Sequence, residues 1–426
     1  MAEVLIIGAG VAGLSAAVHA RRAGYEAVIF EAKERWGDLL DHFHLDGFRF
    51  DNAVHFAFSK NDDYRAVLEK TDYITHRPEP YNYEQGRWLK HPVQNNLYPL
   101  TAEEKVEAVK SFVKRPARRE GAHYRQWLVE QFGRVIADRY PGRYTRKYWT
   151  VPAEQMSTDW IGNRLYRPSL DEVLFGAMTD ETPSTYYLPE LFYPRGGGYS
   201  AFLEPLLEGL NLRTNREVVY IDPLKKYVQC RDGSREYYQY LVSSMPLPEL
   251  AKMIEGAPAA VTEAAETLWA TSVALVSLGF NTPQVAGEHL WFYIYDEEIL
   301  PARAHAPYRK SPANAPQGCS SLQFETYYSR HKPLPCSGGA LIEHVVEAAE
   351  KMELASRQDL AASDFRTLPY GNVVFDRGMA GRRDFVLDYM QKQGILPVGR
   401  FGEWAYLWAD QCYLSGKKAE NLHFML

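Results

Sequence analysis

The chain has 426 residues, more than one ordinary core accommodates, so two or more domains are expected. Apolar residues make up 46% and charged residues 24%, the balance of a globular enzyme. The formal charge of −6 excludes a global basic field for nucleic acid or an anionic membrane, so any anionic ligand must be held by local arginines.

In chain order, Val4 to Ile7 reads as a buried parallel strand. Gly8-Ala9-Gly10-Val11-Ala12-Gly13 follows and opens a helix to about Gly24. A second strand, Ala27 to Phe30, ends at Glu31. This is a complete βαβ unit for a dinucleotide. Gly8 allows the tight turn, Gly10 lets backbone approach a pyrophosphate, and Gly13 lets helix and strand pack closely. The helix N-terminus faces the phosphates, and Glu31, 23 positions after Gly8, can accept ribose hydroxyls. The motif alone does not choose between NAD and FAD. The apolar stretch Val4 to Ala20 is not expected to act as a signal peptide, because it lacks a basic start, follows Glu3 and is broken by three glycines.

Asp41-His42-Phe43-His44 contains an HxH pair without further ligands nearby, so no metal site is expected. Thr101 and Glu104 form a capping box, with helical sequence continuing through Arg139. Tyr193-Pro194-Arg195-Gly196-Gly197-Gly198-Tyr199 is a glycine-rich turn that could cradle phosphates. Arg231-Asp232-Gly233-Ser234 reads as a hairpin turn before a strand reaching Met245-Pro246. Strands are expected at Ser272 to Phe280, Leu290 to Tyr295 and Ser321 to Tyr328, the last half-buried from its Leu322, Phe324, Thr326, Tyr328 alternation. Residues 341–363 read as helix. Cys230, Cys319, Cys336 and Cys412 lie far apart and read as free thiols. No run is long enough to cross a bilayer, and a cytoplasmic protein is expected.

The stretches after Glu31 carry a resemblance. Ala32-Lys33-Glu34-Arg35-Trp36-Gly37-Asp38, with Leu45 to Asp51, resembles the flavin arm of the amine oxidase and protoporphyrinogen oxidase superfamily. Tyr240 to Pro246 resembles its returning strand. Phe50-Asp51-Asn52-Ala53-Val54-His55 on to Ser59, Trp88 to Leu97 with His91-Pro92-Val93-Gln94-Asn95-Asn96, Tyr148-Trp149-Thr150-Val151-Pro152 through Trp160-Ile161-Gly162-Asn163-Arg164, Pro301-Ala302-Arg303-Ala304 and Gly399-Arg400-Phe401-Gly402 through Trp404 and Tyr406 are similar to motifs of the flavin-dependent UDP-galactopyranose mutases.

The resemblance implies an α/β fold: a Rossmann-type, glutathione reductase-like FAD-binding domain with an inserted helical region and a mixed β-sheet substrate domain. The expected boundaries are 1–75, 190–250 and 370–426 for FAD, 76–189 for the largely helical insert, and 251–369 for the β-rich substrate segment. It implies FAD, active when reduced by NAD(P)H or another reductant. Reduced flavin N5 would act as nucleophile on the anomeric carbon of an NDP-sugar, interconverting pyranose and furanose forms. The FAD contacts it implies are Gly8, Gly10, Val11, Ala12, Gly13, Glu31, Ala32, Arg35, Gly37, Asp38, His55, Val219, Met245, Gly399, Arg400, Tyr406 and Leu407. The implied substrate contacts are Gln94, Asn95, Asn96, Trp160, Arg164, Arg303, Asn372 and Tyr406, with catalysis carried by His55, Arg164, Arg303 and Arg400. In that superfamily the glycine-rich turn before Tyr199 would lie over the flavin.

Arginine suits a buried diphosphate because its planar fork donates bidentately. Trp160, Trp404 and Tyr406 could stack a base or sugar face. The partner expected is a nucleotide sugar, with no nucleic acid or membrane, and a homo-oligomer is compatible with the sequence. Three departures from the mutase pattern stand out. Ala53-Val54 replaces a glycine pair before His55, Gly37-Asp38 replaces another, and Asn372 replaces a tyrosine. The substrate is then expected to differ from UDP-galactose, or its sugar to be modified. The alternative activity is an FAD oxidoreductase of the amine oxidase/protoporphyrinogen oxidase type.

Overall fold

A computed structural model describes residues 2–117, 123–162, 164–183, 185 and 188–424. Asn163 of the quoted motif lies outside the described residues. The strand Ala2–Ile7 is apolar and its Val4 to Ile7 core is buried, which is why it takes the centre of a sheet. It pairs in parallel with Ala27–Phe30 on one side and with Arg235–Ser243 on the other. Asn211–Arg213 extends the sheet beyond Ala27–Phe30. The hairpin of Val218–Asp222 and Tyr227–Cys230 joins the early part of Arg235–Ser243, and Ile395–Pro397 pairs in parallel with its end. The turn at Arg231 to Ser234 forms as the sequence predicts, with Gly233 at φ +82°. The helix Val11–Arg22 crosses between the first two strands. This sheet is therefore assembled from three distant stretches of chain.

A second sheet has the order Leu360–Leu368, Ser272–Phe280, Ser320–Tyr328, Arg303–His305, Trp291–Ile294, Tyr81–Glu84, Arg87–Lys90. Two expectations change here. Residues 81–90, read as part of a helical insert, form its edge hairpin. The helix read over 341–363 ends at Lys351, and 360–368 becomes a strand against Ser272–Phe280. Glu353, at φ +55°, turns the chain back.

The strand Ser320–Tyr328 is buried on both faces, not half-buried. Leu322 and Phe324 pack toward the helix Gly339–Lys351, while Gln323, Glu325 and Tyr327 form the opposite face. That opposite face meets the helix Pro141–Tyr148. The capping box at Thr101 and Glu104 starts the helix Ala102–Val113, as read.

The helix Leu170–Met178 lies on the Gln94-Asn95 segment at Gly176, where an added Cβ would stand 1.9 Å from the Asn95 carbonyl oxygen. Glycine to alanine inside a helix ordinarily stabilises by about 1 kcal/mol. Here the backbone clash outweighs that gain, and Gly176→Ala is expected to cost about 1–3 kcal/mol, read as a lower denaturation midpoint.

Candidate functional site

The glycine loop is built by contact as well as by conformation. Gly8 has φ +94°, and a Cβ on Gly13 would stand 1.9 Å from the Gly8 carbonyl oxygen. Beside Gly10 nothing lies within 4 Å, so the backbone there is open to a ligand. Glu31 accepts Ala9 N at 2.8 Å and Lys33 N at 2.9 Å, one on each carboxylate oxygen, which leaves lone pairs for ribose hydroxyls. Burial pushes its carboxyl above the ordinary range, opposed by those two amides.

A single cavity of about 1280 Å³ runs from this loop into the molecule, above the usual range for ligand pockets. Gly8, Gly10, Val11, Ala12, Glu31 and Ala32 line it, followed by Gly37, Asp38, His55 and Met245. The closing segment adds Gly399, Arg400, Tyr406 and Leu407. Gly399, at φ +79°, rests on the glycine-loop helix, where an added Cβ would meet the Ala12 Cβ at 2.5 Å. This open loop, the acid at its end and the elongated shape fit FAD: Gly10 and the helix N-terminus would hold the diphosphate, and Glu31 the ribose.

Three expected FAD contacts do not reach the cavity. Gly13 lies beneath the loop it packs. Arg35 turns outward into a bidentate pair with Asp41, at 3.0 and 2.9 Å. Val219 is on the opposite face of its strand from Val218, which does line the cavity. Nor do Gly196 to Gly198 lie over it. A Cβ on Gly198 would stand 3.0 Å from Asp51 Oδ1 and from the His42 ring, so that turn packs on Asp51, and only Tyr199 faces the cavity. His42 itself bonds Ser200 Oγ at 2.9 Å.

The two departures from glycine keep left-handed backbone: Asp38 at φ +51° and Ala53 at φ +80°. Aspartate tolerates that region, whereas alanine carries a strain of about 1–2 kcal/mol there.

At its inner end the cavity gathers side chains from four stretches. Arg303 is opposite both Glu325 and Tyr293 in the second sheet. Its Nε donates to Glu325 Oε2 at 2.6 Å and its Nη2 to the Tyr327 hydroxyl at 2.9 Å. Burial disfavours its charge, but the Glu325 carboxylate together with Tyr327, Tyr148 and Tyr144 outweighs burial and holds the guanidinium cationic. Arg164 donates to the Tyr406 and Trp160 carbonyls at 2.6 and 3.0 Å and lies 4.5 Å from the Tyr406 ring centre. Arg400 donates to Asn372 Oδ1 at 2.8 Å, lies 4.8 Å from the Tyr406 ring centre and holds no carboxylate among the described residues. Arg164, Arg303, Arg400, Asn372, Trp160 and Gln94 all line the cavity.

His55 is half-buried in the cavity wall, and desolvation there lowers its pKa to about 4, so the ring is neutral. Its Nδ1 has no hydrogen-bond partner among the described residues.

Asn95 and Asn96 are turned away. Asn96 donates to the Pro92 carbonyl at 2.7 Å and accepts from the Thr182 hydroxyl, and Asn95 donates to Thr185 Oγ1 at 3.4 Å. Both asparagines brace the loop that presents Gln94. Trp404 is wholly buried beside Tyr370 and Phe401, in the core and not at the site.

Sequence reasoning placed Tyr148 in a motif without a role and missed Tyr327 and Glu325. Tyr148 donates to Asn372 Oδ1 at 3.2 Å, and Glu325 accepts Val54 N at 2.8 Å as well as Arg303. The signal for Tyr327 and Glu325 was available, because Gln323, Glu325 and Tyr327 alternate with the apolar face of one strand.

The sequence profile of the flavin containing amine oxidoreductases matches residues 11–419. Among solved structures, a reduced UDP-galactopyranose mutase superposes with a TM-score of 0.93 over 100% of this chain and 96% of its own, at 24% identity. A protein from Exiguobacterium sp. assigned as a protoporphyrinogen oxidase gives 0.76 over 100% and 99%, at 19% identity. Among curated relatives, a 4,4'-diapophytoene desaturase of Staphylococcus haemolyticus is 35% identical over 18% of this chain and 16% of its own length. A 4,4'-diaponeurosporene oxygenase of Staphylococcus aureus is 22% identical over 57% and 55%. The chain thus spans about half or less of those relatives. With the profile match running through nearly the whole sequence and a nucleotide groove of fitting shape, the chain belongs to the flavin-containing amine oxidoreductase family, and its cofactor is FAD.

Proposed function

We propose that the protein is an FAD-dependent nucleotide-sugar mutase, interconverting the pyranose and furanose forms of an NDP-sugar. One observation carries the reading: Arg164, Arg303 and Arg400, far apart in sequence, converge on the cavity that also holds the FAD groove. Reduced FAD, when bound, supplies the nucleophile for the anomeric carbon, with no net redox change.

The chain's own part is to hold the leaving diphosphate and keep water out. Arg400 has a neutral partner, Asn372, and a cation without a buried counter-charge favours an anion. Arg303 shares its charge with Glu325 and offers its remaining donors. Tyr406, crossed by Trp149 and Trp160 rings at 5.4 and 5.9 Å, forms an aromatic wall against solvent. His55, neutral and next to the turn at Ala53, can accept or donate one hydrogen bond toward the flavin end.

A second reading, an FAD oxidoreductase acting on an apolar substrate, is favoured by the partial sequence relatives, whose names are those of a desaturase and an oxygenase. The wall of Tyr144, Tyr148, Tyr293, Tyr327 and Tyr406 suits a hydroxylated ligand better. Dithionite-reduced protein is expected to interconvert an NDP-galactose or a related NDP-sugar without steady use of reductant, and the oxidised protein to be inactive. Sustained acceptor consumption with an amine or polyene, and no exchange on any NDP-sugar tried, would establish the second reading instead.

A further inference from the structure

A buried ion pair stands behind the turn that joins the two halves of the cavity, and neither FAD binding nor the arginine cluster gives it a role. Asp51 ends the strand Phe48–Asp51, and Lys310 ends the short helix Pro307–Lys310. Both side chains are fully buried, and the ammonium is paired with Asp51 Oδ2. That oxygen also accepts the Tyr193 hydroxyl at 2.7 Å, and Oδ1 accepts Tyr199 N at 3.0 Å. The ammonium lies 4.4 Å from the Tyr193 ring centre. Asp51 is the one carboxylate it meets among the described residues. Burial raises the Asp51 carboxyl, but Lys310 and these hydrogen bonds outweigh burial and hold it below the usual carboxylate range.

Two opposite charges taken from water gain little over a well-packed apolar pair, so stability alone does not explain them. The next residues give the reason. Asn52, Ala53, Val54 and His55 all line the cavity, and Asn52 Nδ2 donates to the Asp38 carbonyl of the flavin arm at 2.9 Å. Ala53 is held at φ +80°, a conformation it keeps only if both flanks are fixed. After it, Val54 N is fixed on Glu325. Before it, the Asp51 carbonyl accepts Ala53 N at 2.9 Å and Gln323 Nε2 at 3.0 Å, while the Asp51 carboxylate is fixed by Lys310. Lys310 enters from the segment between two strands of the second sheet and does not line the cavity.

We propose that Lys310 is a positioning residue: through Asp51 it pins the Asn52-to-His55 turn between the second sheet and the FAD groove, and so sets how that turn meets the flavin. The inference rests on FAD binding and not on the mutase reading, so its test needs no sugar.

In the holoenzyme, Lys310→Met is expected to shift the visible absorption band and the midpoint potential of the bound flavin and to raise the FAD dissociation constant about tenfold. The double variant Asp51→Asn with Lys310→Met removes both charges. It is expected to melt near the parent's temperature while keeping the altered flavin spectrum and potential. Parental spectrum and potential in either variant would make the pair a fold support only and overturn the proposal. Should Lys310→Met alone fail to fold, the double variant decides by the same readout.

Discussion

Gly13→Ala is expected to yield a chain that carries almost no FAD. The new Cβ would stand 1.9 Å from the Gly8 carbonyl oxygen, a backbone atom, so the helix Val11–Arg22 must move off the strand that precedes it. Overpacking of this kind costs about 1–3 kcal/mol in ordinary cores, and here relief requires displacing the loop that faces the pyrophosphate. An FAD affinity lower by about 100-fold or more follows, seen as loss of flavin absorbance per protein after purification. A parental flavin content would show that the helix-to-strand contact is not what shapes the site. The prediction is specific because Gly13 does not line the cavity.

Arg400→Ala is expected to act on the other half of the cavity. FAD should stay bound, while affinity for a nucleoside diphosphate falls about 10–100-fold, the worth of one or two charge-assisted hydrogen bonds at roughly 1.5–3 kcal/mol. Its removal leaves no buried charge behind, because Asn372 Oδ1 still accepts the Tyr148 hydroxyl at 3.2 Å. Melting near the parent's temperature is therefore expected as well. Arg303 is the poorer probe. Its loss would leave Glu325 buried and unpaired, which costs about 3–5 kcal/mol and confounds binding with folding. Calorimetric titration of the Arg400→Ala holoenzyme with UDP would settle the point. Unchanged affinity would remove Arg400 from the anion site and leave the mutase reading without its main support.

Local chemistry made the nucleotide end legible. Gly8, Gly10 and Gly13 each do there what their spacing says, and Glu31 ends the second strand with both oxygens turned to backbone amides and the groove. The strand Ser272–Phe280 and the capped helix Ala102–Val113 were equally readable, because β-rich apolar runs and end caps are properties of neighbouring residues. Motif matching also brought forward three arginines that line the cavity, but not what each one touches.

Asn95 and Asn96 belong to the same motif as Gln94, yet they brace the loop from inside, because the tight helical turn at Val93 to Asn95 leaves Gln94 on the cavity side and both asparagines on the protein side. Arg35 looked like a phosphate ligand until Asp41, six residues on, took its guanidinium. Glu325, Tyr327 and Lys310 carried no motif; their places come from strand register and from a crossing more than 250 residues long between Lys310 and Asp51.

By itself, then, the sequence determined the βαβ nucleotide unit, the family and the set of candidate cations, since each follows from short-range spacing and side-chain type. Which cations face one another, which keep a carboxylate, and how a strained alanine is held beside the flavin groove were decided only by tertiary structure. Those are energies of burial and pairing between distant residues, and no local pattern encodes them.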